Sequence, residues 1–264
     1  MIQEWDFDGI PMKTYVKIAL RTRVETKPLE VGRALLDVLS LGDGQLYPEQ
    51  VSHNPDRFKD AFSGPDTLDV WWNEVAQIRV EGAISDFSLD FAWRRKAAVK
   101  SNGYVCHTTR NNRGAVLPGT VNITCQWSSK VEWFEVFRAL IDVFPPRLAM
   151  LHLFTAPEIG RPSPWSSFEA GSFGAALNPD IANIAWAMYY GDEFSNEGDR
   201  QGMRERGFFV DERLNGYLVT VTEKLEDVRN NFNGFSLRRA ELKSLYRPGS
   251  FRIGEEPAPK PLVA

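Results

Sequence analysis

Three histidines, His53, His107 and His152, are the side chains best suited to acid–base chemistry near neutral pH, and each stands alone in the sequence. His107 falls in a predicted strand and His152 in an apolar run, contexts that favour hydrogen-bonded structural imidazoles over general bases. Two cysteines, Cys106 and Cys125, are too few for a disulfide scaffold and lack the His or Cys company of a zinc site, so they read as reduced core thiols. No HExxH, P-loop, GxSxG or dinucleotide fingerprint occurs. Pro179-Asp180 followed by Glu241-Leu242-Lys243 imitates the spaced acids and lysine with which restriction-type nucleases hold magnesium. That chemistry needs its Glu and Lys on a core strand. Here they fall in a predicted amphipathic helix, where both are expected to be solvated helix formers. The sequence therefore predicts no catalytic residue, no cofactor and no metal.

What remains is recognition chemistry. Acidic residues recur as Glu4, Asp6 and Asp8, as Asp66, Asp69 and Glu74 around Trp71 and Trp72, and as Asp192, Glu193, Glu197 and Asp199 in a Gly-containing loop. Such groups are either plain solvated surface or a complement to a basic partner. Adjacent tryptophans cannot point the same way on a helix or a strand, so one of the pair is expected to be free as an anchor. The candidate partner-binding set is thus Trp71, Trp72, Asp66, Asp69, Asp192, Glu193, Glu197 and Asp199. A formal charge of -4 argues against direct nucleic-acid binding, which needs Lys and Arg to displace counterions from phosphates.

The elements that must carry these residues are legible from periodicity. With 264 residues, 43% hydrophobic and 12% aromatic, the chain can bury a large ring-rich core. Alternation predicts a strand from Tyr15 to Val24. Val31, Ala34, Leu35, Val38 and Leu39 predict a helix after Pro28, stopped by Gly42-Asp43-Gly44. A short helix is expected to hold Trp71 and Trp72, and one strand to hold Phe87, Leu89, Phe91 and Trp93 on a single face. Segments 99–109 and 119–127 predict a hairpin whose symmetry would bring Cys106 near Cys125 and Tyr104 near Trp127. Ser129 and Glu132 have capping-box spacing ahead of the apolar stripe Trp133, Val136, Phe137, Leu140, Ile141 and Phe144. Pro145-Pro146 ends that helix, and Leu148 to Phe154 predicts a buried strand. Strands are expected again at Ile184 to Tyr190 and Tyr217 to Val221, and a basic helix from Ser236 to Tyr246.

The class is therefore α+β, mostly antiparallel sheet packed by a few helices. The whole chain, 1–264, is expected to form one globular domain with two related strand-helix-strand halves, about 10–155 and 165–250. Pro157 to Pro164 is the candidate linker and 255–264 a frayed tail. No window approaches the roughly 20 apolar residues of a membrane span, and the start lacks the pattern of a secretory signal, which predicts a cytoplasmic protein with no membrane partner.

Leu68-Asp69-Val70-Trp71-Trp72, the segment Phe87 to Trp93, Val131-Glu132-Trp133-Phe134 and Ala185-Trp186-Ala187-Met188-Tyr189-Tyr190-Gly191-Asp192 together carry a family likeness. Over roughly residues 10 to 250 the chain resembles bacterial immunity proteins of polymorphic toxin systems. The group in question is paired with restriction-endonuclease-like nuclease toxins, including type VI secretion effectors. The resemblance implies an α+β antitoxin that binds its cognate nuclease toxin in the producer's cytoplasm and prevents self-intoxication during bacterial competition. It transfers no interface residue. Two other readings stay open: a non-inhibitory adaptor or chaperone of the same secretion pathway, and an enzyme with a site assembled from scattered carboxylates and one histidine. A homodimer is compatible with either kind of binder.

Overall fold

In the computed structural model, residues 14–80, 83–111, 113–173 and 181–257 are described. Their strands, in chain order, are β1 (Thr14–Thr22), β2 (Gln50–Ser52), β3 (Asp60–Ala61), β4 (Val75–Val80), β5 (Ala83–Ser88), β6 (Phe91–Arg95) and β7 (Ser101–Cys106). There follow β8 (Thr109–Arg110), β9 (Val116–Leu117), β10 (Gly119–Gln126), β11 (Pro146–Thr155), β12 (Ala187–Tyr190), β13 (Phe209–Arg213) and β14 (Gly216–Thr220). The helices are α1 (Leu29–Leu39), α2 (Leu41–Gly44), α3 (Leu68–Trp72), α4 (Trp133–Val143), α5 (Trp165–Glu169), α6 (Arg200–Glu205), α7 (Asp227–Asn230) and α8 (Phe232–Lys243).

Ten strands form one sheet in the order β13-β14-β12-β11-β1-β10-β7-β6-β2-β3, with antiparallel pairing throughout. The α+β class expected from the sequence is the observed one. β1 lies inside the sheet because its alternation supplies a fully apolar face. Ile18 sits opposite Ile123 of β10 on one side and Leu151 of β11 on the other. That face is covered by α1 and α4, whose Leu35, Leu36, Leu39, Val136, Phe137, Leu140 and Ile141 are buried in the same cluster. The opposite face, with Tyr15, His152 and Phe154, takes α5 and α8 through Phe168 and Phe235. α1 ends where predicted: Gly42, Asp43 and Gly44 have φ of 59°, 65° and 66°, so α2 is a left-handed turn and not a continuation of α1.

The structure corrects several expectations. Phe87 and Phe91 do not share a strand. The backbone breaks at Leu89-Asp90, β6 joins the main sheet with Phe91 and Trp93 buried, and β5 pairs with β4 in a separate two-stranded ribbon. Alternation persists across the break because it reports side-chain direction and not the identity of the paired neighbour. In the β7–β10 hairpin Cys106 pairs with Thr120, Cys125 with Ser101 and Tyr104 with Asn122, so the cysteines lie at opposite ends and are both free. The connecting loop folds into its own small ribbon, β8–β9, and the symmetric register does not form. Ser129 does not cap α4. Glu132 occupies the cap position without a side-chain bond, and the Trp133 indole N–H ties the entry instead by donating to the Ser128 carbonyl at 2.9 Å.

Nor is 157–164 a free tether, since Glu158 within it is fully buried. Residues 255–257 are not frayed: Pro257 is buried and Glu256 is bonded to α8, while 258–264 lie outside the described residues. β11 bonds directly to β12, so the segments 10–155 and 165–250 contribute to one sheet.

Candidate functional site

His152 projects from the middle of β11 into a sealed ionic cluster. The Trp186 backbone N–H donates to its Nδ1 at 3.0 Å, which leaves the proton on Nε2, and Nε2 in turn donates to Glu158 Oε2 at 2.9 Å. Arg239 Nη1 donates to Glu158 Oε1 at 2.8 Å and its Nε to Glu256 Oε2 at 2.7 Å. Lys243, one turn further along α8, donates from Nζ to Glu256 Oε1 at 2.5 Å and to the Ile253 carbonyl at 2.8 Å. Two cations thus meet two carboxylates around a neutral imidazole. The side chains of His152, Glu158 and Arg239 have no exposed surface, so this histidine–carboxylate pair has no route to a substrate. It braces β11, α8 and the 253–256 segment together.

Burial pushes the His152 pKa below its ordinary 6.5, and the nearby Arg239 charge pushes the same way. Burial alone would raise Glu158, but His152 and Arg239 outweigh it and hold the carboxyl down to about 2. Both groups bind fewer protons in the folded than in the unfolded chain, so stability must fall on acidification. We expect a first loss below pH 6.5, where the unfolded imidazole takes a proton that folded His152 refuses. A second loss begins below pH 4.5 and runs toward pH 2 as Glu158 is protonated. The second stage is worth up to roughly 3 kcal/mol at about 1.4 kcal/mol per pKa unit. Urea unfolding at stepped pH checks this, and a midpoint unchanged between about pH 7 and pH 3 would exclude it.

The other sequence candidates for chemistry are engaged as well. His107 Nδ1 lies 3.2 Å from the Thr26 hydroxyl, and its ring sits edge-on against Trp72. His53 bridges the Asp90 carbonyl at 2.9 Å and Glu74 at 2.7 Å. Cys106 donates its thiol to Asp90 at 3.0 Å, and burial with that contact pushes its pKa up to about 12. Asp180 lies outside the described residues. Glu241 pairs with Arg238 at the surface, whereas Lys243 is mostly buried, against the expectation that both are simply solvated.

Of the residues singled out for partner binding, Trp72 is buried and donates its indole N–H to the Thr26 carbonyl at 3.1 Å. Trp71 is half-buried with its ring 5.1 Å from that of His53. In the 192–199 loop the carboxylates are largely engaged. Glu193 is held between Arg23 and Arg147, Glu197 pairs with Arg247 at 3.3 Å, and Asp199 caps α6 by accepting from Gly202 N at 2.9 Å. Asp192 is exposed. That loop is therefore not the free acidic surface that its composition suggested.

Asp66 and Asp69 fare differently. Both are exposed at the start of α3, and the Asp69 carboxylate accepts from the neutral Asn73 amide at 2.9 Å. Beside them α3 presents Val70, 65% exposed, and leads into the β4–β5 ribbon, where Val75, Ile84 and Phe87 are 49%, 57% and 52% exposed. Asp86 on the ribbon accepts from the Gln77 amide at 3.2 Å. The two halves of the predicted set thus differ: Asp66, Asp69 and Val70 are exposed, whereas Glu193 and Glu197 of the 192–199 loop are ion-paired and Asp199 caps α6.

Sequence reading missed a second surface. Trp127, Trp133, Phe134, Trp186 and Phe209 line a groove of about 280 Å³ between the start of α4, β13 and the 223–226 turn. Trp127 and Trp133 stack with centroids 6.2 Å apart, and Phe134 meets Trp186 and Phe209 edge-on at 5.5 and 5.9 Å. Glu132, Glu223 and Glu226 stand around it with Lys224. Its residues come from four separate stretches, and only the density of aromatic residues near 127–134 hinted at it.

No protein-family model matches the chain, and no curated protein matches it. Among the described residues no helix is long and apolar enough to cross a membrane. Among solved structures the chain is similar to the crystal structure of Trypanosoma brucei AdoMetDC-delta26 monomer, at 9% identity over 78% of this chain and 63% of that one. This chain therefore spans less than two thirds of that neighbour's length, and the TM-score of 0.25 carries no inference about fold or activity.

Proposed function

We propose that the protein works by binding another protein, as the immunity partner that neutralises a cognate nuclease toxin in the producer's cytoplasm. The observation that carries this reading is the exposure of Val70 on α3 and of Val75, Ile84 and Phe87 on the β4–β5 ribbon, in segments that also carry exposed Asp66, Asp69 and Asp86. Val75, Ile84 and Asp86 share one face of the ribbon and Phe87 lies on the other, and exposed apolar side chains interleaved with charge fit a protein contact better than a small-molecule site. The ribbon stands outside the ten-stranded sheet, so both of its edges are free of the main ladder. The family resemblance supplies the toxin; the carboxylates favour a basic surface on it. Binding there would hinder the nuclease either by covering its active site or by blocking the subunit arrangement it needs.

The test is coexpression with the toxin encoded beside it, followed by purification of the complex and a nuclease assay. Immunity requires a stable complex without nuclease activity. A complex that still cleaves DNA supports the adaptor reading instead, and absence of any complex removes the proposal. Val70→Asp combined with Phe87→Asp should weaken binding at least about tenfold while leaving the melting temperature nearly unchanged, because both side chains already face solvent. Undiminished binding by this variant would move the contact off Val70 and off the face of the ribbon that carries Phe87.

A further inference from the structure

We propose that the groove bounded by Trp127, Trp133, Phe134, Trp186 and Phe209 is a receptor for a guanidinium group, presented as an arginine side chain by a basic segment of a partner. Its hydrogen-bonding character selects against anions. The two buried indoles cannot donate into it, since Trp133 Nε1 donates to the Ser128 carbonyl at 2.9 Å and Trp186 Nε1 to the Thr222 hydroxyl at 3.1 Å. What faces a ligand is ring surface and three carboxylates, Glu132, Glu223 and Glu226, against one lysine, Lys224. None of those carboxylates is ion-paired among the described residues. A ligand there must donate hydrogen bonds, carry positive charge and stack on aromatic faces. Guanidinium does all three, and as a planar group it fits between rings better than an ammonium.

The protein already makes this contact at the edges of the groove. The Arg229 guanidinium lies over the Trp127 ring at 5.5 Å, and Arg138 lies over Phe134 at 5.9 Å. Neither arginine is among the residues that line the groove. A space of about 280 Å³ holds one long side chain and is small for a drug-sized ligand. The groove is also built from different elements than the α3 and ribbon surface, so this inference stands whether or not that surface meets a toxin.

A synthetic peptide tests it without any toxin. Acetyl-Gly-Arg-Gly-amide should shift the indole N–H resonances of Trp127 and Trp133 in a saturable way at concentrations on the order of 10 mM or below. The peptide with citrulline in place of arginine has the same shape without the charge and should bind at least about tenfold more weakly. Glu223→Gln with Glu226→Gln should weaken the arginine peptide about tenfold, with the melting temperature unchanged because both positions lie at the surface. Trp127→Leu provides a second route, removing a stacking face without altering charge, and should also weaken binding. Equal binding of arginine and citrulline peptides would overturn the cationic assignment and make this an apolar cleft. Shifts of equal size in the glutamine variant, or no saturable shift at all, would overturn the site.

Discussion

Arg239→Ala is expected to lower the unfolding free energy by about 3–5 kcal/mol, the range for removing one partner from a buried ionic set. Arg239 is fully buried in α8 and is the single group that touches both carboxylates of the cluster, Glu158 and Glu256. Its loss strands Glu158, which has no exposed surface, with only a neutral imidazole as donor. The remaining cation, Lys243, bonds Glu256 and not Glu158. The variant also removes packing, because the guanidinium lies 4.7 Å from the Phe235 ring. Glu256→Gln should cost clearly less, since Glu256 keeps some contact with solvent, the amide oxygen can still accept from Arg239, and Lys243 keeps the Ile253 carbonyl. Urea unfolding of both variants at neutral pH makes the comparison. A loss below about 1 kcal/mol for Arg239→Ala would mean that the cluster does not brace the fold.

That cluster shows where sequence reading stops. α1, α4 and β1 are legible because each has an apolar face and β11 because Leu148 to Phe154 is an apolar run, and the hydrophobic effect requires such surface to be buried whatever covers it. α8 is legible as a helix but not as a core helix. Arg239 sits among Phe235, Ser236 and Leu242 on its buried side, and an arginine in a periodic pattern marks the outward face by default. Its partners Glu158 and Glu256 come from segments whose prolines and glycines read as linker and tail. Pairing of charges 81 and 17 residues apart leaves no local trace.

The same limit explains the strand corrections and the groove. Side-chain alternation fixes which way Phe87 and Phe91 point relative to their own backbones, but the choice between the ribbon and the main sheet depends on which neighbour supplies the hydrogen bonds. Cys106 and Cys125 illustrate it within one hairpin: the strands were identified, while register followed from how the loop between them folds. The engagement of the acidic loop 192–199 escapes the sequence for a related reason. Composition counts carboxylates, whereas only three-dimensional placement shows that Arg23, Arg147 and Arg247 already neutralise two of them.

Trp72→Ala and Trp71→Ala should separate sharply although the residues are adjacent. Leu68–Trp72 is barely one helical turn, and a step of one residue on a helix turns the side chain by about 100°, so one indole enters the core while its neighbour stays at the surface. Trp72 packs 5.3 Å from Phe91 and 4.9 Å from His107, and it lies so close over α1 that a Cβ on Gly32 would be 2.6 Å from the ring. Removing it leaves a large cavity whose α1 wall has no side chain able to move in. It also leaves the buried Thr26 carbonyl without the indole donor at 3.1 Å. The expected cost is about 3–5 kcal/mol. Trp71 loses its contact with His53 on an open side, and its replacement should cost about 1 kcal/mol. Any weakening of partner binding by Trp71→Ala would then report a contact, whereas the same effect from Trp72→Ala would report misfolding. Equal losses of stability for the two variants would contradict the placement of Trp72 over Gly32, and with it the reason that position carries no side chain.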